Sequence, residues 1–186
     1  GMMTVARGLA LVASDGRPVS NMSDEMKALD GDLFGIPVPA IMLAEVAFAA
    51  WWTLKYTRIG RHIYAVGGNE NAARAAGIHV GRVKMFAYTV CGALTGLGGV
   101  MLAARITTGQ PNAGIAYELD AIAAVVIGGT SLSGGIGTIG GTILGALLMG
   151  VIGNGLDLMN VSPYYQQIVK GAIIVGAVWL DRKHAK

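Results

Sequence analysis

The sequence predicts an all-α fold: a polytopic transmembrane helical bundle containing a short re-entrant or broken-helix hairpin. Three observations lead there. Hydrophobic residues make up 53% of the chain and charged residues 13%, whereas soluble domains carry nearer a quarter charged. The apolar residues gather into runs long enough to cross ~30 Å of hydrocarbon as helices, which satisfy their backbone polar groups internally. The 29 glycines fit lipid rather than loops, because Gly lets neighbouring helix backbones approach closely. Residues 1–186 are read as a single membrane domain.

The opening "GMMTVARGLALVA" reads as the end of a helix, a partial span over about 2–13. It has neither a basic leader nor a cleavage site, so no signal peptide is expected, and further sequence upstream is. Loop 14–35 carries Arg17 and Lys27 against the acids Asp15, Asp24, Glu25, Asp30 and Asp32. "NMS" at 21–23 matches a glycosylation sequon, a pattern that often arises by chance. Residues 36–56 form about 21 positions, or roughly 31 Å of helix. Trp51, Trp52 and Tyr56 close it as an interfacial aromatic belt. Span 85–104 follows a polar interlude at 57–84, and it contains Cys91, expected to be an inert buried thiol.

Region 121–156 holds no charged residue. As one helix it would run roughly 54 Å, so it must break. The break falls at "GGTSLSGGIG", residues 128–137. The segment before it, Ala121–Ile127, is too short to cross, so a short or re-entrant helix, a Gly/Ser turn and a return helix from about 138 to 152 are expected. The last span, 161–180, carries Tyr164 and Tyr165 at one end and Trp179 at the other.

Charge gives sidedness. Lys55, Arg58, Arg61, Arg74, Arg82 and Lys84 face only Glu70 within 55–84, and Arg182, Lys183 and Lys186 follow the last span. Both segments are therefore expected to be cytoplasmic, and 14–35 and 105–120 outside. Alternation then requires an even number of crossings between 121 and 160, as the broken hairpin provides.

Chemistry is sparse. No GxxxxGK[ST] motif occurs, so no nucleotide site of that kind is expected in this chain. His62, His79 and His184 lack metal-ligand spacing, and no nucleophile–base arrangement or carboxylate pair suggests catalysis. The cations at 55–84 need no nucleic acid, since topology accounts for them. Gly92/Gly96 and Gly141/Gly145 have GxxxG spacing, which serves helix packing or a pathway that changes shape. Glu45 lies mid-span, where a charge costs roughly 2.5–3.5 kcal/mol, and should face protein or a cavity, or be protonated. Arg7 and Lys170 lie near membrane depth, where snorkelling or an internal pair explains them. Glu45, Lys170, Gly128, Gly129 and Ser131 are the candidates for lining a solute path.

"NENAARAAGI" at 69–78 reads as a short helix capped by Asn69 or Asn71 and ended by Gly77. Its small residues offer a surface that another protein can approach closely.

Three ordered stretches carry a family resemblance: "TRIGRHIYAVGGNENAARAAGIHVGRVK", then "YELDAIAAVVIGGTSLSGGIGTIGGTILGALLMGVIGNGLDLM", then "YYQQIVKGAIIV". Together they resemble the C-terminal part of the permease subunit of ribose/xylose-type ATP-binding-cassette (ABC) sugar importers. The resemblance implies a second permease subunit (homo- or heterodimer), an ABC ATPase subunit that binds ATP on the cytoplasmic side, and a periplasmic sugar-binding protein. This chain would need no cofactor of its own and would lie in the inner membrane. Family permeases present a coupling helix to the ATPase. The match assigns Gly67, Gly68, Asn69, Glu70, Ala72, Ala73 and Gly77 to that contact, and Asp15–Ser20 and Gln110–Asp120 to the binding protein. Bulk at Ala73 is then expected to uncouple ATP hydrolysis from transport. Two other readings stand beside this one: an ATP-independent channel or secondary carrier using Glu45 as an ion site, and a membrane scaffold.

Overall fold

Apolar runs with no solvent to satisfy their amides explain why helix dominates the architecture. The computed structural model describes residues 1–20, 23, 26, 28–33 and 35–184, with backbone only at 28, 33, 177 and 180–184. Asn21 of the sequon and the charges Asp24, Glu25, Lys27 and Lys186 lie outside the described residues. Among those described, eight α-helices follow in order: α1 (Met2–Ala13), α2 (Val38–Tyr56), α3 (Arg58–Gly68), α4 (Glu70–Ala75), α5 (Val80–Ile106), α6 (Tyr117–Ile127), α7 (Ile139–Leu158) and α8 (Pro163–His184). A 3-10 turn at Ala28–Asp30 and four two-residue strands complete the set. The strands are β1 (Val19–Ser20), β2 (Asp32–Leu33), β3 (Ile36–Pro37) and β4 (Thr108–Gly109).

The chain divides into two compact units, Gly1–Phe48 with Ala87–Ile115 and Ala49–Phe86 with Ala116–Lys186. In the first, β1 pairs antiparallel with β4, Val19 opposite Gly109 and Ser20 opposite Thr108. The segments 14–35 and 105–120, both expected outside, are thus hydrogen-bonded to each other. A local hairpin pairs β2 with β3 and turns at Gly35, whose φ of +80° suits glycine.

In the second unit α6, α7 and α8 share a core. Ala123 and Ala124 of α6 and Met149 of α7 are buried, with Ile127, Ile173 and Ile174 packed around them. Glycine sets the α6–α7 spacing. A Cβ on Gly145 would collide with the Ala124 carbonyl, and one on Gly128 would stand 2.6 Å from the Gly141 carbonyl carbon. The Gly141/Gly145 pair therefore packs helices. Gly92 and Gly96 have nothing within 4 Å of an added Cβ and lie on an open face of α5.

Among the described residues, three helices are long and apolar enough to cross a membrane by length and composition: α2, α5 and α7, of 19, 27 and 20 residues. The expected span at 36–56 loses its first two residues to β3. The final helix has 22 residues, but Gln166, Gln167 and Lys170 make its first half more polar than the other three. The break in 121–156 lies where expected, between Ile127 and Ile139. At 11 residues α6 is only roughly 16 Å long. Cys91 is exposed rather than buried. An apolar run in a membrane helix does not imply burial within its own chain, because the surrounding lipid is equally apolar.

Replacing Gly145 by Ala should destabilise the α6–α7 packing by about 1–3 kcal/mol, seen as a lower melting temperature of the detergent-solubilised protein. Gly92→Ala, facing open space, should leave the melt unchanged.

Candidate functional site

The polar interlude folds into an elbow. Thr57 begins it: its Oγ1 donates to the Thr53 carbonyl at 2.7 Å and accepts from the Gly60 amide at 3.2 Å, capping α3. Gly60 is buried, and a Cβ there would strike the Leu54 carbonyl. That close contact lets α3 leave α2 after a single linking residue. Gly60, Ile63, Tyr64 and Gly67 recur at i, i+3, i+4 and i+7 and form the covered face, while Arg58, Arg61, His62 and Ala65 are exposed.

The next helix, α4, is fixed at both ends. Asn69 Oδ1 accepts from the Ala72 amide at 3.0 Å. At the other end Gly77, at φ +81°, donates to the Arg74 carbonyl while Ile78 donates to the Ala73 carbonyl. This is the paired closure that a left-handed glycine permits. Glu70 then ties α4 to the first turns of α5. Lys84 Nζ lies 2.6 Å from its Oε2, and an Arg74 guanidinium nitrogen 3.0 Å from its Oε1. The hydrogen bond from Lys84, reinforced by both cations, holds the Glu70 carboxyl below its ordinary pKa of 4.5.

Of the seven residues assigned to partner contact, Gly68, Asn69, Ala72 and Gly77 are exposed and Glu70 is half-buried in its ion pairs. Ala73 is only 4% exposed, so bulk there would act on the elbow's own packing. Gly67 and Gly68 meet another part of the same unit, the Gly-rich turn at 128–138. A Cβ on Gly67 would lie 2.6 Å from the Gly135 amide nitrogen, and one on Gly135 would lie 2.7 Å from the Gly68 Cα. Gly134 and Gly135 take φ of +93° and +77°. Tyr64 adds a directed bond, its hydroxyl donating to the Gly137 carbonyl at 2.8 Å. A cavity of about 470 Å³, lined by Trp51, Leu54, Lys55, Tyr64, Thr138, Ile139 and Gly140, flanks this contact.

The path candidates fall in different settings. Gly128 is occupied in α6–α7 packing, Gly129 turns the chain at φ +82°, and Ser131 closes the turn by donating its amide to the Ile136 carbonyl at 3.0 Å. Glu45 is exposed on α2 and makes no hydrogen bond or ion pair to the described residues. Lys170 has an internal partner: its Nζ is 2.8 Å from Asp120 Oδ2, with the two side chains 28% and 32% exposed. Asp120 lies in the first turn of α6, where helix amides favour an anion. Its Oδ1 is buried without a partner among the described residues. Sequence reading assigned Asp120 to an outer loop and missed this pair. The available signal was one isolated anion and one isolated cation, each bordering an apolar run.

Also unforeseen was a groove of about 430 Å³ between α3, the end of α4 and α5, where Ile59, Ile78, Val83 and Phe86 face His62, His79 and Arg82. Among the described residues no three His, Cys, Asp or Glu side chains converge as a metal site.

Apolar helices joined by a rigid polar elbow define a polytopic helical membrane protein. A family profile described as "Branched-chain amino acid transport system / permease component" matches residues 2–178, and the chain belongs to that permease family. It is 48% identical to the ribose import permease protein of Escherichia coli strain K12, over 98% of this chain and 58% of that protein. The Bacillus subtilis strain 168 ribose import permease protein is 50% identical, over 97% of this chain and 57% of its own length. Identity to the L-arabinose transport system permease protein of Escherichia coli strain K12 is 40%, over 99% of this chain and 56% of that protein. The chain thus spans less than two thirds of these curated relatives. No solved structure matches it.

The charged contacts can be tested separately. Because Glu70 has its pKa lowered by folding, its tie to Lys84 should be intact above about pH 4.5 and weaken as pH falls through the lower folded-state value. Amide exchange in α4 should rise over that interval, and Glu70→Gln should show the raised exchange at every pH. Asp120→Asn should lower the melting temperature by leaving Lys170 unpaired, at a cost of about 1–3 kcal/mol. The double variant with Lys170→Gln should recover part of the loss.

Proposed function

We propose that this chain is part of the membrane-spanning subunit of an ATP-driven importer of a monosaccharide of the ribose, xylose or arabinose class. The observation that carries the reading is the elbow at 57–84. A helix locked by Asn69 at one end and Gly77 at the other, and braced by Glu70, offers Asn71, Ala72 and Ala75 as an exposed, rigid, small-residue face. Such a face suits close docking at low cost in conformational entropy. The relatives' names supply the class of cargo.

In this reading the elbow and the C-terminus lie on the cytoplasmic side of the inner membrane and a separate ATPase seats on the elbow. A second permease subunit completes the pathway, and a periplasmic binding protein delivers sugar to the opposite side. Sidedness is supported by the six cations of 55–84, and by the β1–β4 ladder, which keeps 14–35 and 105–120 together. The broken hairpin is then an in-and-back pair. The packing of its turn against Gly67 supports a turn that lies on the elbow's side. From there α7, at roughly 30 Å, is long enough to return across the bilayer. The ion-driven carrier reading rests on Glu45, and no described residue joins Glu45 to form an ion site.

The test is co-purification and uptake with the assembled transporter. Ala72→Trp adds bulk to the exposed face and should leave membrane insertion intact while reducing ATPase retention and sugar uptake by about tenfold or more. Normal retention and uptake by that variant would refute the elbow as the docking surface. Uptake by the wild-type permease that requires an ion gradient and no ATPase would refute the importer itself.

A further inference from the structure

Loop 57–84 and the Gly-rich turn at 128–138 are far apart in sequence and are joined by two independent contacts. The first is backbone on backbone. Cβ atoms built at Gly67, Gly134 and Gly135 would approach atoms of the opposing segment at 2.6, 2.5 and 2.7 Å. The two segments are thus closer than any side chain at these positions allows. Gly134 and Gly135 also adopt left-handed backbone, which disfavours any other residue. The second contact is directional: the Tyr64 hydroxyl donates to the carbonyl of Gly137, 2.8 Å away.

The turn leads directly into a spanning helix. Gly137 precedes Thr138, whose side chain caps α7 by accepting from the Gly141 amide. From α7 the same kind of close packing passes to α6 at Gly128 and Gly145, and the Asp120–Lys170 pair passes from α6 to α8. The contact is also narrow, since a cavity of about 470 Å³ lies beside Tyr64. Among the described residues, a displacement carried from α3 to α7 there passes through the glycine seam and the Tyr64 hydrogen bond.

We infer that Tyr64 and Gly67, seated on Gly134, Gly135 and Gly137, form the joint that transmits motion of the 57–84 elbow to the start of α7. The inference rests on the proposed docking of an ATPase at the elbow and adds what lies downstream of it. These are positioning residues: they touch neither nucleotide nor sugar. The joint works by making the elbow and the turn move as one piece: close-packed segments have low compressibility and transmit strain, and the Tyr64 hydrogen bond opposes sliding.

The experiment uses the complete transporter, with permease, ATPase and binding protein reconstituted together, and measures ribose uptake and ATP hydrolysis in the same vesicles. Tyr64→Phe removes the donor and keeps the ring. Gly67→Ala forces the seam open. Gly140→Ala is the control, because its Cβ would meet nothing within 4 Å at the exposed start of α7. Tyr64→Phe should lower sugar moved per ATP by about two- to tenfold, with ATPase retention and hydrolysis preserved. Gly67→Ala should lower the ratio further, and Gly140→Ala should match wild type. Should Gly67→Ala fail to assemble, Tyr64→Phe decides alone. The joint is refuted if assembled Tyr64→Phe keeps the wild-type ratio, or if uptake and hydrolysis fall in proportion. Absence of ATP-coupled uptake of ribose, xylose and arabinose alike in the wild type would instead overturn the importer reading.

Discussion

Close backbone approach at glycine is the constraint on which this structure depends. At three places, Gly67 against Gly135, Gly128 against Gly141 and Gly145 against Ala124, a single methyl group would overlap the opposing main chain. Helices in lipid gain nothing from excluding water from one another, so contact area and dispersion must hold them together. Removing Cβ atoms brings whole backbones within van der Waals range. The three contacts form a series from α3 through the turn to α7 and α6, and that series gives the second unit its continuity.

Charge is used sparingly and in two ways. The Asp120–Lys170 pair joins α6 to α8 where neither group could stand alone cheaply. Around the elbow, Glu70 collects Arg74 and Lys84, while Lys55 lies over the Trp51 and Tyr56 rings at 5.0 and 5.4 Å from their centroids. Exposed pairs of this kind contribute little stability. Their consequence is orientation: they hold α4 against the first turns of α5 and leave its small residues facing outward.

Much of the fold was legible because the signals are local. Hydrophobic run lengths mark α2, α5 and α7, Asn69 and Gly77 bracket α4, and "GGTSLSGGIG" marks the break. The GxxxG spacing was ambiguous for a physical reason: the same pattern packs a neighbour at Gly141/Gly145 and faces open space at Gly92/Gly96. Spacing states what a helix face permits and leaves its partner unspecified. Three features of the site required tertiary contacts. Gly67, unlike the exposed Gly68 beside it, is half-covered and seats on a turn more than sixty residues later in the chain. Ala73 is turned inward within a helix whose residues are mostly small, so composition could not separate its faces. Asp120 and Lys170, fifty residues apart, meet only once α6 and α8 are packed.

The central claim is that the elbow and the start of α7 form one mechanical piece. A pair of spin labels tests it most directly, in the reconstituted transporter with and without ATP. One label replaces Arg61 on the exposed face of α3, and the other replaces the exposed Gly140 on α7. The account predicts the same inter-label distance in both states while labels elsewhere in the permease report motion. A change in the 61–140 distance on ATP binding would contradict it.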